Sequence, residues 1–66
     1  MPREPHDDNA FIVESKQVKN VVRVTAIDPK SGIEATIITP LRVSQRHREQ
    51  LAARKLRYVL DKKFGD

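Results

Sequence analysis

The strongest constraint on the fold is the turn sequence at residues 28–32, which lies between two runs of β-branched residues. Pro29 fixes a negative φ near the start of this turn, and Gly32 supplies a positive φ at its end. The flanking segments 21–28 and 33–39 are rich in valine, isoleucine and threonine, which favour extended strands. The pattern therefore predicts an antiparallel β-hairpin.

A four-residue loop that places Asp28 opposite Ile33 sets the register of this hairpin. One face then carries the pairs Ala26–Ala35, Val24–Ile37 and Val22–Thr39. The other face carries Thr25–Thr36, Arg23–Ile38 and Ile27–Glu34. Pro40 is expected to end the second strand, since proline cannot donate to a strand ladder. The first face is almost wholly apolar and needs a cover.

The cover is a helix predicted over about residues 44–63, where the apolar period becomes helical. Ser44 is a suitable N-cap and Gly65 a suitable stop. One stripe of this helix is apolar and consists of Ala52, Ala53, Leu56, Val59, Leu60 and Phe64. We expect this stripe to lie on the apolar face of the hairpin.

The predicted fold class is α+β, with a small antiparallel sheet covered by one C-terminal helix. Residues 10–16 form a further candidate strand whose pairing the sequence leaves open. Residues 1–9 are acidic and contain two prolines, and we interpret them as a disordered arm. Residues 10–66 then form a single small domain.

The length of 66 residues limits the core, and the absence of cysteine excludes disulfides and thiolate metal sites. Added stability must come from tight local structure or from association. The chain has no apolar run of the roughly 18 residues that a membrane span requires, and its N-terminus lacks the pattern of a signal peptide. We therefore expect a cytoplasmic protein without membrane contact.

Residues suited to catalysis or metal binding are sparse. The serines have no flanking glycines that would form a nucleophile elbow, and two glycines cannot build a phosphate-binding loop. The carboxylates are scattered along the chain, whereas acid–base chemistry needs them to converge. His47 stands alone, and the histidine and two aspartates at 6–8 lie in the arm. We expect no enzymatic activity, no cofactor, no metal and no small-molecule substrate.

The net charge of +4 is concentrated in residues 41–66, which hold eight bases and three acids. Basic residues in a first helical turn oppose the helix dipole unless an external anion uses them. The candidate contacts for an anion or a nucleic acid are Arg46, His47, Arg48, Arg54, Lys55 and Arg57. The alternative is a basic surface that only faces solvent, since charge runs usually do.

A second candidate surface is apolar. Leu51 and Tyr58 are seven residues apart on the outer side of the predicted helix, and Ile27 and Ile38 lie on the uncovered face of the hairpin. Apolar groups outside a small core are typical of an association surface. The leading functional hypothesis is therefore protein association, with a partner protein or as a homodimer through the sheet edge or the outer Leu51/Tyr58 side of the helix. The alternative hypothesis is nucleic-acid binding through the basic helix.

Two motifs in the chain resemble a family of very small uncharacterised bacterial proteins. The first is the Val-Thr-Ala-Ile-Asp-Pro run at 24–29 followed by Gly32, and the second is the Leu-Ala…Lys-Leu…Tyr-Val-Leu pattern at 51–60. The likeness covers about residues 10–62. It implies a hairpin followed by a C-terminal helix, in a domain of unknown function with no established activity or site.

Overall fold

The computed structural model describes residues 10–64. Its elements are β1 (Ile12–Val18), β2 (Val21–Ile27), β3 (Glu34–Pro40) and α1 (Gln45–Phe64). The strands form one antiparallel sheet in the order β1-β2-β3, and α1 covers one of its faces. The predicted α+β class is confirmed. The predicted arm at residues 1–9 lies outside the described residues.

The β2–β3 hairpin has the predicted register, with Ala26 opposite Ala35 and Val24 opposite Ile37. In the turn, the Asp28 amide donates to the Ile33 carbonyl at 2.9 Å. Gly32 has a φ of 78°, the left-handed conformation that the turn sequence predicted for it.

Pro40 belongs to β3 and is paired with Val21, one residue beyond the predicted end. The reason lies in the alternation of an antiparallel ladder. Because the Asp28 amide bonds to Ile33, the amides of residues 35, 37 and 39 point towards β2. The nitrogen of Pro40 therefore points outwards, where no ladder hydrogen bond is lost.

Strand β1 pairs with β2 from Val18 opposite Val21 to Ile12 opposite Ile27. It has the same length as the candidate strand at 10–16 but lies two residues further along the chain, because a two-residue turn joins it to β2. Such turns require positive φ and usually contain glycine. Here Lys19 takes a φ of 57°, so the turn lacks its usual sequence signal.

The core lies between α1 and the covered face of the sheet. Leu56 and Leu60 are fully buried and pack in one cluster with Val24 and Ala26. Val59 is half-buried at the margin of the same cluster. Each buried leucine contributes about 1.5–3 kcal/mol relative to an exposed one, so these two side chains hold the helix on the sheet.

Phe64 is the one member of the predicted stripe that the sheet does not cover, since it is 58% exposed. The helix has 20 residues and spans about 30 Å, whereas the strands have seven and span about 24 Å. Gln45 lies beside Ser15, to whose hydroxyl its amide donates at 3.3 Å. The last turn of α1 therefore extends beyond the sheet. Within residues 10–64, no helix is apolar enough to cross a bilayer.

Candidate interaction surfaces

We call the face of the sheet opposite α1 the open face. Every second side chain of each strand points to this face, and the residues paired across the three strands form rows on it. In residues 10–64 no other element packs on this face, because α1 lies on the opposite side. The register gives four rows across the three strands: Ile12–Ile27–Glu34, Glu14–Thr25–Thr36, Lys16–Arg23–Ile38 and Val18–Val21–Pro40.

Aliphatic side chains on the open face remain accessible to water. Ile12 is 48% exposed, Val18 44% and Ile38 59%, whereas Ile27 is half-buried by its neighbours. Ile27 and Ile38 thus lie on the uncovered face, as the hairpin register predicted. The apolar groups are concentrated in the first and last rows, at the two ends of the sheet.

The charges of the open face are sorted by sign. Glu34 and Glu14 occupy the first two rows, and Lys16 and Arg23 occupy the third. Between them, the hydroxyls of Thr25 and Thr36 are hydrogen-bonded at 3.0 Å. A shallow depression in this central region is lined by Glu14, Ser15, Lys16, Arg23 and Thr25. The open face is therefore a dipolar surface with apolar ends.

The other two predicted association residues lie on the helix, away from the open face. Tyr58 is 61% exposed, with the Lys62 ammonium 5.7 Å from its ring centroid. Leu51 is half-buried rather than fully on the outer side. The structure thus divides the four predicted residues between two surfaces, and only the open face is continuous across several elements.

A second concave feature, which we call the basic groove, runs between β1 and α1 with a volume of about 540 Å³. Its helical wall carries Arg46, Arg54 and Arg57, all exposed. The groove is also lined by Phe11, Val13, Glu49, Gln50 and Ala53. Two of its apolar lining residues, Phe11 and Val13, belong to β1 or directly precede it. Because the sequence left the pairing of this segment open, it did not predict the groove.

Two of the remaining candidate anion contacts, Arg48 and Lys55, have hydrogen-bond partners within the fold. Arg48 donates to the Leu41 carbonyl and to the Gln45 side chain, both at 2.9 Å, and so ties the loop before α1 to the helix. Lys55 donates to the Thr36 carbonyl at 2.8 Å. The His47 amide donates to the Ser44 hydroxyl, which confirms the predicted N-cap.

The described residues carry one carboxylate in the basic groove and two, Glu14 and Glu34, on the open face. Glu49 is the one carboxylate among the residues that line the groove, and it accepts a hydrogen bond from Gln45 at 2.7 Å. Among residues 10–64, no group of three or more histidines, cysteines or acids is placed to hold a metal ion.

The fold and surfaces define the protein as a small α+β domain built from a three-stranded meander and one covering helix. The family described as Domain of unknown function (DUF6898) matches residues 8–63, and the chain belongs to that family. Comparisons with curated proteins and with solved structures found no match.

Proposed function

We propose that the protein is a non-catalytic association module that binds another protein through the open face. The observation that carries this proposal is the exposure of Ile12, Val18 and Ile38 on one continuous surface of three strands. Isolated apolar residues on a surface need no explanation. A face that combines several exposed apolar residues with charges separated by sign is typical of an interaction site.

Covering this face would be favourable for a domain with so small a core. Removing the exposed part of Ile38 from water contributes about 1–2 kcal/mol, and Ile12 and Val18 add comparable amounts. These gains are large beside the total stability of a domain of this size, which is about 5 kcal/mol.

Site-specific photo-cross-linking in the native host tests the proposal without knowing the partner. A photoreactive phenylalanine analogue replaces either Ile38 on the open face or Tyr58 on the helix, which are 59% and 61% exposed and so equally accessible. We expect a discrete protein adduct from position 38 and none of comparable yield from position 58. Equal yields from both positions, or no adduct from position 38, would contradict the proposal.

Nucleic-acid binding is a second candidate function, favoured by the three arginines on the wall of the basic groove. Because these residues neutralise at most three phosphates, the slope of log K against log salt should be no steeper than about −2.7 for a duplex. The test is fluorescence anisotropy of a labelled duplex at about 50 mM salt, where phosphate contacts count strongly. Arg54→Glu should abolish binding and Lys63→Glu should not. No binding by the wild type excludes this candidate.

A further inference from the structure

We propose that the protein bound by the open face is a second copy of the same chain, in a two-fold dimer; this inference rests on the function proposed above. A two-fold dimer requires one surface that is complementary to itself. Two sheets packed face to face can have their two-fold axis either across the strands or along them. The four rows of the open face allow the contacts of both arrangements to be compared.

An axis across the strands places each strand over its own copy and reverses the order of the rows. The first row then faces the fourth row of the second copy. Ile12 lies over Val18 of the second copy, and Ile27 lies over Val21. On β3, Glu34 lies over Pro40 of the second copy and Ile38 lies over Thr36. The aliphatic groups of β1 and β2 at the two ends of the sheet therefore cover one another.

The same axis places the second row over the third and so brings opposite charges together. Glu14 faces Lys16 of the second copy, and symmetry repeats this pair. Thr25 faces Arg23 of the second copy. The threonine hydroxyl carries no charge and therefore does not repel the guanidinium. Because β1 is an edge strand, the Glu14–Lys16 pairs lie at the rim. Rim pairs of this kind fix the orientation of a complex more than they strengthen it.

The alternative axis runs along the strands. It places each row over the same row of the second copy and places β1 over β3 of the second copy. Arg23 then faces Arg23 of the second copy at the axis, which is repulsive. Lys16 faces Ile38 and Ile12 faces Glu34, so two aliphatic groups meet charges. The charge pattern therefore selects the axis across the strands.

The size of the open face sets the expected strength of the dimer. Three strands of seven residues present a surface about 24 Å long and about 14 Å wide. This area is smaller than the roughly 800 Å² per partner of a standard interface. The dimer is therefore a weak one, and it must be measured up to protein concentrations of about 1 mM.

Sedimentation equilibrium of the full chain tests the arrangement through a charge exchange. Glu14→Lys and Lys16→Glu each create two like-charge pairs and should weaken the dimer by about tenfold or more. The double variant E14K/K16E rebuilds the pairs in reverse and should return the dissociation constant to within about threefold of wild type. Asp61→Lys and Lys63→Glu are the controls, because they make the same charge changes on the exposed face of α1.

Circular dichroism checks that each variant keeps its fold, as expected for substitutions of exposed side chains. The inference fails if the dimer is insensitive to the single exchanges, or if the double variant is no better than either of them. It also fails if the wild type stays at 7.6 kDa at every concentration. In that last case, an adduct of other mass from position 38 would leave the association function standing with a different partner.

Discussion

Asp28 shows how one side chain stabilises the turn that organises this chain. It is only 6% exposed, and its carboxylate accepts hydrogen bonds from the Lys30 amide at 3.2 Å and the Ser31 hydroxyl at 2.9 Å. Its backbone is bonded to Ile33 and Gly32 as well. The residue therefore connects the proline–glycine turn to the first pair of the hairpin.

We expect Asp28→Ala to lower the free energy of unfolding by about 1–2 kcal/mol, because both donors lose their partner in a partly buried turn. Asp28→Asn keeps one carbonyl acceptor and an amide that can bond to the Ser31 hydroxyl, so its cost should be less than half as large. Urea denaturation followed by circular dichroism measures both. Equal losses in the two variants would show that the charge, rather than the hydrogen bonds, matters at this position.

In contrast to Asp28, Thr39 is a buried polar residue, and it is only 4% exposed. Its hydroxyl has no hydrogen-bond partner among the described residues to offset the cost of its burial. We expect Thr39→Val to raise the free energy of unfolding by about 1 kcal/mol, because it removes an unsatisfied buried hydroxyl at nearly constant shape. Thr36→Val is the matched control, since Thr36 bonds to Thr25 and its replacement should not stabilise. A destabilised Thr39→Val would reveal a hidden partner, such as a bound water.

At the scale of elements, the packing of α1 on the sheet depends on a few aliphatic side chains. We expect Leu56→Ala to cost about 2–5 kcal/mol, which would leave so small a domain mostly unfolded, because Leu56 is fully buried. Leu41→Ala makes the same chemical change at a position that is 42% exposed, and it should cost less than about 1 kcal/mol. Thermal unfolding followed by circular dichroism compares the two. Similar losses would mean that α1 is not held by its apolar stripe.

The hairpin and the helix were predictable because their signals are local. Pro29 and Gly32 determine the turn, and the turn determines which residues share a face. The helix was predicted over 44–63 and occupies 45–64, since its period and its cap lie within its own sequence. Elements of this kind need no knowledge of the rest of the chain.

The basic groove and the charge order of the open face were not predictable in the same way. Both depend on where β1 lies, and β1 follows a turn in which Lys19 takes a positive φ without a glycine. Once β1 is placed, Glu14 and Lys16 fall on the open face beside Thr25 and Arg23. The residues of a surface shared by several strands carry no local signal of their neighbours, so only the sheet order brings them together.

The edges of the sheet limit how whole molecules can meet. Lys55 reaches the edge of β3 and donates to the carbonyl of Thr36, which occupies a group that another strand could otherwise bond. Pro40 removes a donor from the same edge. Strand addition at β3 is thus disfavoured, whereas the open face carries no such protection. Association is therefore expected through the face of the sheet rather than through this edge.

Association of folded chains also has a consequence for the stability of the whole molecule. Because only the folded chain presents the open face, dimerisation shifts the folding equilibrium by mass action. Above the dissociation constant the free monomer rises only with the square root of the total concentration, so a tenfold rise adds about 0.7 kcal/mol per chain, which corresponds to about 3–5 °C in the midpoint of thermal unfolding of a domain of this size. We expect this rise for the wild type between about 0.1 and 1 mM, the range that a weak interface requires.

The variants of the open face separate this effect from any other influence of concentration. Glu14→Lys should have a midpoint that changes less with concentration than that of the wild type, because its folded state gains less from a second copy. The double variant E14K/K16E should recover the concentration dependence, and Lys63→Glu should never lose it. A midpoint that rises equally in all four proteins would point to contacts outside the open face, such as the exposed Tyr58 and Phe64 of the helix. Differential scanning calorimetry at matched concentrations measures the midpoints, and only a dimer through the open face predicts their order.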